Sequence, residues 1–218
     1  SFDKGMRLVK INELGELQQE PIIEEKSNSG FRCITSDLND GYFLTGFTNS
    51  DKMEDLLVVK LDGNGNIVWS KNFGSDFNDG GNAIVSLSDQ NIGIIGYSHL
   101  DVINKDIFVI KMDTDGNEIW TKTIGGNESD EGHDILAVDG GGMVILGETH
   151  SQGDDDGDIW ILELNTDGEI IDTILFGGNG KQIGYSFAKS ELGGYTISGV
   201  ISGSSGVTAV SYTRLRAH

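Results

Sequence analysis

The chain is predicted to be all-β and built from repeated four-stranded antiparallel units, and three observations carry that expectation. Glycine is abundant, with 32 residues, proline occurs once, and 37% of the 218 residues are hydrophobic. A disordered low-complexity chain would be rich in both glycine and proline and poorer in apolar residues. Apolar residues also alternate in short runs bounded by Gly, Asn, Asp and Ser, the pattern of strands and tight turns, with almost no helical period. Finally, the runs recur about every 50 residues, within the range of propeller repeats.

The elements follow in order. One set of runs is "MRLVKINELGEL", "LLVVKLDGNGNI", "IFVIKMDTDGNEI" and "IWILELNTDGEI". Each is apolar and alternating, then carries Asn or Asp, then a glycine three positions on: Gly15, Gly65, Gly116 and Gly168. A second set is "GYFLTGFTN", "NIGIIGYSH", "GMVILGETH" and "GYTISGVIS", with inner glycines Gly46, Gly96, Gly147 and Gly199. A third is "NIVWSKNFG", "NEIWTKTIG" and "EIIDTILFGG", and a fourth "NAIVSLSD", "DILAVDG" and "YSFAKSE". Four short strands per repeat are the signature of a β-propeller of four-stranded blades.

The second set is the most apolar and has the smallest residues, so it is assigned to strand a, nearest the propeller axis. Strands a to d then span 41–89, 91–140 and 142–190, within one domain covering 1–218. Residues 5–39 supply b, c and d without an a, and 193–202 supply an a. Together they are expected to complete a fourth blade, stitching the two ends into one sheet and removing open edges. The segment "VTAVSYTRLR", 207–216, looks like a further b strand for a slot that "MRLVKIN" already fills. It either displaces the N-terminal strand or belongs to a partial fifth blade, and the chain could also be part of a larger ring.

The stretch "KMDTDGNEIW" places Asp113, Asp115 and Glu118 around Gly116, as carboxylates stand in a calcium loop. A calcium loop needs several oxygen ligands at fixed spacing and a bidentate acid. The equivalent element reads "NELG" in the first repeat and "DGNG" in the second. What all four copies share is the hairpin requirement, a residue tolerant of the left-handed conformation and a glycine. The element is therefore read as a turn.

Composition narrows the function classes. A formal net charge of -20 repels nucleic acid and anionic lipid. The single cysteine, Cys33, excludes an intrachain disulfide, and its alternating apolar run suggests a small buried thiol. No window approaches the length of a membrane-spanning helix. No signal peptide is visible and the chain begins at Ser1, as expected of a processed or trimmed product.

"DIFVIKMDTDGNEIWTKTIGGNESDEGHDI", followed by "GGGMVILGETHS", resembles the β-propeller repeats of secreted and surface proteins common in Bacteroidota, and more distantly those of quinoprotein-like propellers. The resemblance covers nearly the whole chain. It implies a scaffold or binding module, located outside the cell or at its envelope. In quinoprotein-like blades an Ala-x-Asp-x-x-Thr-Gly-x-x-x-Trp motif docks tryptophan between blades. Trp69 and Trp120 follow their glycines by four residues, as in that motif, but the turn is one residue shorter and the motif's Ala and Thr are absent. Tryptophan packing between blades is the expected carry-over; a quinone cofactor is not expected.

Candidate chemistry is sparse. His99 and His150 occupy the same position at the end of strand a, where Asn49 and Ser202 stand in the other copies. Beside the acidic "SQGDDDGD" loop, with Asp154 and Asp156, they could form a zinc or nickel site. An ordinary polar strand end explains them equally well, so no metal is assigned. The dense acids Asp154, Asp155, Asp156 and Asp158 read as a solvated face. His133 is expected to be alone and exposed, and His218 could be a tag remnant. There is no Gly-x-Ser-x-Gly elbow, His-Glu-x-x-His or phosphate loop. The expected function is a non-catalytic binding module for a protein or glycan, with no cofactor. A metal-dependent hydrolase or lyase near His99 and His150 is the alternative.

Overall fold

The structure, a computed structural model, describes residues 6–19, 22–23, 29–37, 40–50, 53–153, 156–190, 193–202 and 210–212. Among these the regular structure is all β. Four short strands come first: β1 (Met6–Arg7), β2 (Lys10–Ile11), β3 (Leu17–Gln19) and β4 (Ile22–Ile23). The first full sheet is β5 (Gly30–Asp37), β6 (Gly41–Ser50), β7 (Met53–Asp62) and β8 (Ile67–Phe73). The second is β9 (Asp79–Ser86), β10 (Ile92–His99), β11 (Lys105–Met112) and β12 (Glu118–Ile124). The third is β13 (Asp130–Ala137), β14 (Met143–Thr149), β15 (Asp158–Leu164) and β16 (Ile170–Phe176). The fourth is β17 (Lys181–Lys189), β18 (Tyr195–Ser202) and β19 (Val210–Tyr212). Each of these four full sheets is an antiparallel meander in chain order.

The sheets are phased one strand earlier than the sequence grouping. The run placed last in each repeat, as in 79–86, pairs with the following repeat's strand a: Ile94 faces Ile84 across β10 and β9. The units are thus 30–73, 79–124 and 130–176 rather than 41–89, 91–140 and 142–190. The loop joining the last two strands of an expected unit is no tight hairpin; it crosses from one sheet to the next. The tight turn lies where a boundary was expected, with Leu87 N bonded to Asn91 O and Gln90 in the left-handed conformation. The expected stitching of 5–39 to 193–202 is also absent from the described pairings. β1 pairs β4 and β2 pairs β3, while β18 pairs β17 and β19. The Val210–Tyr212 strand lies within 207–216 and takes the slot expected for "MRLVKIN".

Burial follows from this layering. The second and third strands of the two middle sheets are buried almost end to end. They are covered on both faces, which suits continuous runs such as "IGIIGY" and "MVILGE". The fourth strands β8, β12 and β16 alternate between exposed and half-buried. First strands of successive sheets pack against one another, β5 on β9, β9 on β13 and β13 on β17. Side chains stitch them: Ser86 Oγ donates to Ser36 O at 2.6 Å, and Asp134 Oδ2 accepts from Ser186 Oγ at 2.7 Å and Phe187 N at 3.1 Å. Leu8, between β1 and β2, packs on the cluster of Leu44, Leu57, Val59 and Leu61 in the first full sheet.

A bulge interrupts each first strand at the same place. Opposite the second strand, the ladder skips Arg32, Asn82, His133 and Tyr185. Such a bulge leaves one residue unpaired and swings the backbone. Here it drives a first-strand carbonyl toward Gly46, Gly96, Gly147 and Gly199. A β-carbon at Gly96 would run into Gly80 O, one at Gly46 into Gly30 O and one at Gly199 into Ile183 O; at Gly147 the nearest atom, Glu131 O, is 2.8 Å away. The glycines therefore answer to the bulge on the neighbouring strand. They lie on the second strand of each sheet, not on the first, whose counterparts converge from sheet to sheet.

Candidate functional site

The four bulge residues stand at one repeat position, so the convergence of first strands brings them into a column. Each is freed from the ladder, and the contacts of Arg32, Asn82 and His133 reach the next sheet. Arg32 Nη1 donates to Asn82 Oδ1 at 2.7 Å. Asn82 Nδ2 donates to Glu131 Oε1 and to Gly132 O, both at 2.8 Å. The ring of His133 meets that of Tyr185 edge-on, with centroids 6.2 Å apart. Arg32 also lies over Phe47 and Tyr97, 5.0 and 5.7 Å from the ring centroids. Tyr185 is more than half exposed.

Two carboxylates anchor the column. Glu131 and Glu148 are direct register partners on β13 and β14. Glu131 is ion-paired with Lys105, whose ammonium sits 5.0 Å from the Tyr97 ring centroid. Burial disfavours the Glu131 carboxylate, but the Lys105 and Asn82 contacts outweigh it and hold its pKa below the ordinary value. Glu148 Oε1 accepts from His150 Nε2 at 2.9 Å and lies 2.8 Å from Lys181 Nζ, while His133 Nε2 stands 3.6 Å from its other oxygen. Burial again pushes upward, and His133, Lys181 and His150 together pull the Glu148 pKa down to about 2. Lys105, Ser129, Asp130, Glu131, Glu148, His150 and Lys181 line one small cavity of about 150 Å³.

The residues singled out from sequence fall as follows. His150 joins the Glu148 cluster. His99 does not: its Nδ1 is 2.7 Å from Asn78 O and its ring meets Tyr97 edge-on. Among the described residues no group of three or more His, Cys, Asp or Glu is arranged as a metal cluster. Asp154 and Asp155, like His218, lie outside the described residues. Asp156 is exposed in a turn. Asp158 is almost fully buried, so it does not belong to the solvated acidic face. His133 is neither alone nor exposed; its side chain is 16% exposed beside Glu148. Strand alternation would have left it outward, and the bulge turned it in.

Trp69 and Trp120 are half-buried on the outermost strands. Trp69 Nε1 donates to Thr114 O at 3.2 Å and Trp120 Nε1 to Thr166 O at 2.9 Å. Each therefore docks on the Gly116 or Gly168 turn of the next sheet. Those turns share one design. Gly65, Gly116 and Gly168 have positive φ, as does Gly15, and each donates its N–H three residues back, as Gly116 does to Asp113 O. This is a type I turn closed by a glycine bulge.

Sequence reasoning missed the bulge column. Its only trace is the residue after the alignable Phe31, Gly81, Gly132 and Gly184, where Arg, Asn, His and Tyr replace one another. A scan against protein-family models and a search of curated proteins find no match to this chain.

Proposed function

We propose that the chain is a non-catalytic β-propeller module that binds a protein or glycan partner outside the cell or at its envelope, with the bulge column as its contact surface. The propeller reading is supported by sheets that succeed one another in chain order with first strands packed together, the first locked to the second and the second to the third by the same lysine and tryptophan contacts. The contrast within that regularity carries the binding reading. The docking groups recur in the first two full sheets, as Trp69 and Trp120 do. The bulge position presents a different polar or aromatic side chain in each sheet: Arg32, Asn82, His133 and Tyr185. Bulges commonly re-aim side chains at binding sites. Aromatic and arginine side chains are the usual anchors of recognition surfaces. Glu131 and Glu148 are held ionised by the cations they face, which suits fixed structure better than a poised acid or base.

The test is binding by the purified chain on a glycan array and on an immobilised envelope fraction, alongside Arg32→Ala and Tyr185→Ala. Binding that both substitutions weaken without altering the melting curve supports the reading. Retained binding in both would move the contact surface elsewhere. Small-angle scattering tests the ring, since an open stack of sheets would give an elongated particle.

A further inference from the structure

The cavity of about 150 Å³ beside the bulge column is lined by polar and charged side chains alone. Cavities that hold drug-sized ligands run to about 300–1,000 Å³ and are mostly apolar. This one differs on both counts, so it fits a single small end group with a polar surface. Three carboxylates, Asp130, Glu131 and Glu148, are set against two ammoniums, Lys105 and Lys181. Even with His150 protonated the lining carries no excess positive charge, and the whole chain stands at -20. A free anion is therefore disfavoured. A cation would meet carboxylates that are already compensated, Glu131 by Lys105 and Glu148 by Lys181 and His150. Asp130 is turned into its own crossover loop, accepting from Gly126 N at 3.0 Å and Ser151 Oγ at 2.7 Å.

What such a lining matches is a neutral ligand that brings hydrogen-bond donors and acceptors together, as a polyhydroxylated one does. A carboxylate offers about four acceptor positions and an ammonium three donors. Glu131 accepts from Asn82 Nδ2 at 2.8 Å and from Lys105, and Lys181 meets Glu148 at 2.8 Å. Capacity of both kinds therefore remains inside one cavity. The acceptors are also held in place. Glu131 and Glu148 are register partners, and the Arg32–Asn82 bond steadies the amide that donates to Glu131. Groups already fixed lose little freedom on binding. An aromatic face stands alongside: Tyr185 is 55% exposed, its ring meets that of His133 edge-on at 6.2 Å, and His133 Nε2 is 3.6 Å from Glu148 Oε2. A sugar ring has the matching shape, with hydroxyls at its rim and an apolar C–H face that an aromatic ring can cover. Granting the bulge column as the contact surface, we propose that the cavity takes the terminal hexose of an uncharged glycan. Glu131 and Glu148 accept from its hydroxyls, Lys105 and Lys181 donate to them, and Tyr185 packs against its C–H face.

The experiment is isothermal titration of the full chain with galactose, glucose and mannose, and with glucuronic acid as their charged counterpart. Saturable binding of at least one neutral hexose is expected, and none of glucuronic acid. Lys181→Met is expected to weaken the hexose about tenfold or more, as loss of a hydrogen bond from a charged donor does. Tyr185→Phe is expected to keep the binding and Tyr185→Ala to lose most of it, because the ring face and not the hydroxyl makes the contact. Tyr185 is exposed, so both of its variants are expected to melt as the parent does. Should Lys181→Met not fold, the Tyr185 pair decides. No hexose bound, tighter binding of glucuronic acid, or hexose binding indifferent to Tyr185→Ala would each overturn the proposal. The reading of the column as a contact surface fails separately. An envelope protein held by the parent and released by Arg32→Ala and Tyr185→Ala, with no hexose bound, keeps that surface and removes the hexose.

Discussion

Lys111 Nζ lies 2.7 Å from Asp89 Oδ2, and the lysine is 2% exposed. The same ammonium donates to Gly141 O at 3.0 Å, Thr166 O at 3.2 Å and Thr166 Oγ1 at 2.8 Å. Lys111 thus spans from the second sheet to the turn of the third. Lys60 repeats the device one sheet earlier, 3.2 Å from Asp37 and 3.1 Å from Thr114 O.

A buried ammonium is tolerated because it is paired and saturated with acceptors. Asp89→Ala removes the anion and leaves the charge inside. Breaking such a pair costs about 3–5 kcal/mol, with the lower end expected because Asp89 keeps partial access to solvent. Lys111→Met keeps the stem and removes the charge, so it is expected to cost clearly less. Denaturant melts of both variants check this; equal or reversed costs would show that the ion pair is not what Asp89 contributes.

Glu148 gives a pH dependence with a definite sign. Its folded pKa, about 2, lies below the ordinary glutamate value of 4.5. A depressed carboxylate contributes stability that is present above the unfolded pKa and lost as pH falls through the folded one. The loss should therefore run from about pH 4.5 down to about pH 2, and amount to on the order of 2–3 kcal/mol. Glu148→Gln is expected to lower stability at neutral pH and to flatten this part of the acid limb. An acid limb of unchanged slope in Glu148→Gln would assign the loss to other groups.

Gly96 and Gly147 test the bulge. At Gly96 a β-carbon meets a backbone oxygen that cannot turn aside, whereas at Gly147 the gap is 2.8 Å. Gly96→Val is expected to cost about 1–3 kcal/mol through overpacking. Gly96→Ala should cost more than Gly147→Ala. Thermal melts of the three variants check the order, and indifference at Gly96 would mean that the bulge relaxes freely.

Much of the fold was legible because its signals are local. Gly65, Gly116 and Gly168 announced their turns, since a left-handed glycine after Asp or Asn needs nothing beyond its neighbours. The strands announced themselves by alternation. The phase of the sheets did not, because pairing depends on which of two connections is tight. "SLSDQN" closes a hairpin through Gln90, a residue with no special preference for positive φ, while the glycine-bearing "FGSDFND" crosses between sheets. The bulge column was invisible for a related reason. An extra residue in a strand leaves the composition unchanged, and its side chain acquires meaning only from Glu131, Lys105 or Tyr185 on other strands.

Trp120 measures how firmly the sheets are docked. It is half-buried, so Trp120→Ala is expected to fall at or below the lower end of the ~3–5 kcal/mol range for buried aromatic truncation. Trp120→Phe keeps most of the packing and loses the bond to Thr166 O, about 1 kcal/mol. Iodide quenching of the indole fluorescence provides the independent check. Complete quenching at the rate of free tryptophan would contradict docking on the neighbouring turn.

The turn at Asp113–Gly116 shows what its carboxylates do. Asp113 Oδ1 accepts from Asp115 N at 3.0 Å and Asn117 N at 2.8 Å, and Oδ2 accepts from Asn117 Nδ2 at 2.8 Å. The Asn117 bonds lead in lowering the Asp113 pKa, against a small opposing effect of burial. The Asp113 carboxylate is thus spent on the turn's own donors, and Thr114 O faces the Trp69 and Lys60 of the preceding sheet. The turn is a docking post for its neighbour. Asp115 contributes a backbone N–H to this scheme, so Asp115→Asn is expected to change stability by no more than about 0.5 kcal/mol. Asp113→Ala should cost about 1 kcal/mol or more, through lost hydrogen bonds. Gly116→Val should be the worst of the three, because φ is +80° and a β-carbon would stand 3.1 Å from Trp69 Cε2. Calcium and chelator are expected to move the melting transition of the parent and of Asp115→Asn alike. A calcium-dependent rise in the parent that Asp115→Asn loses would make the turn a calcium loop after all.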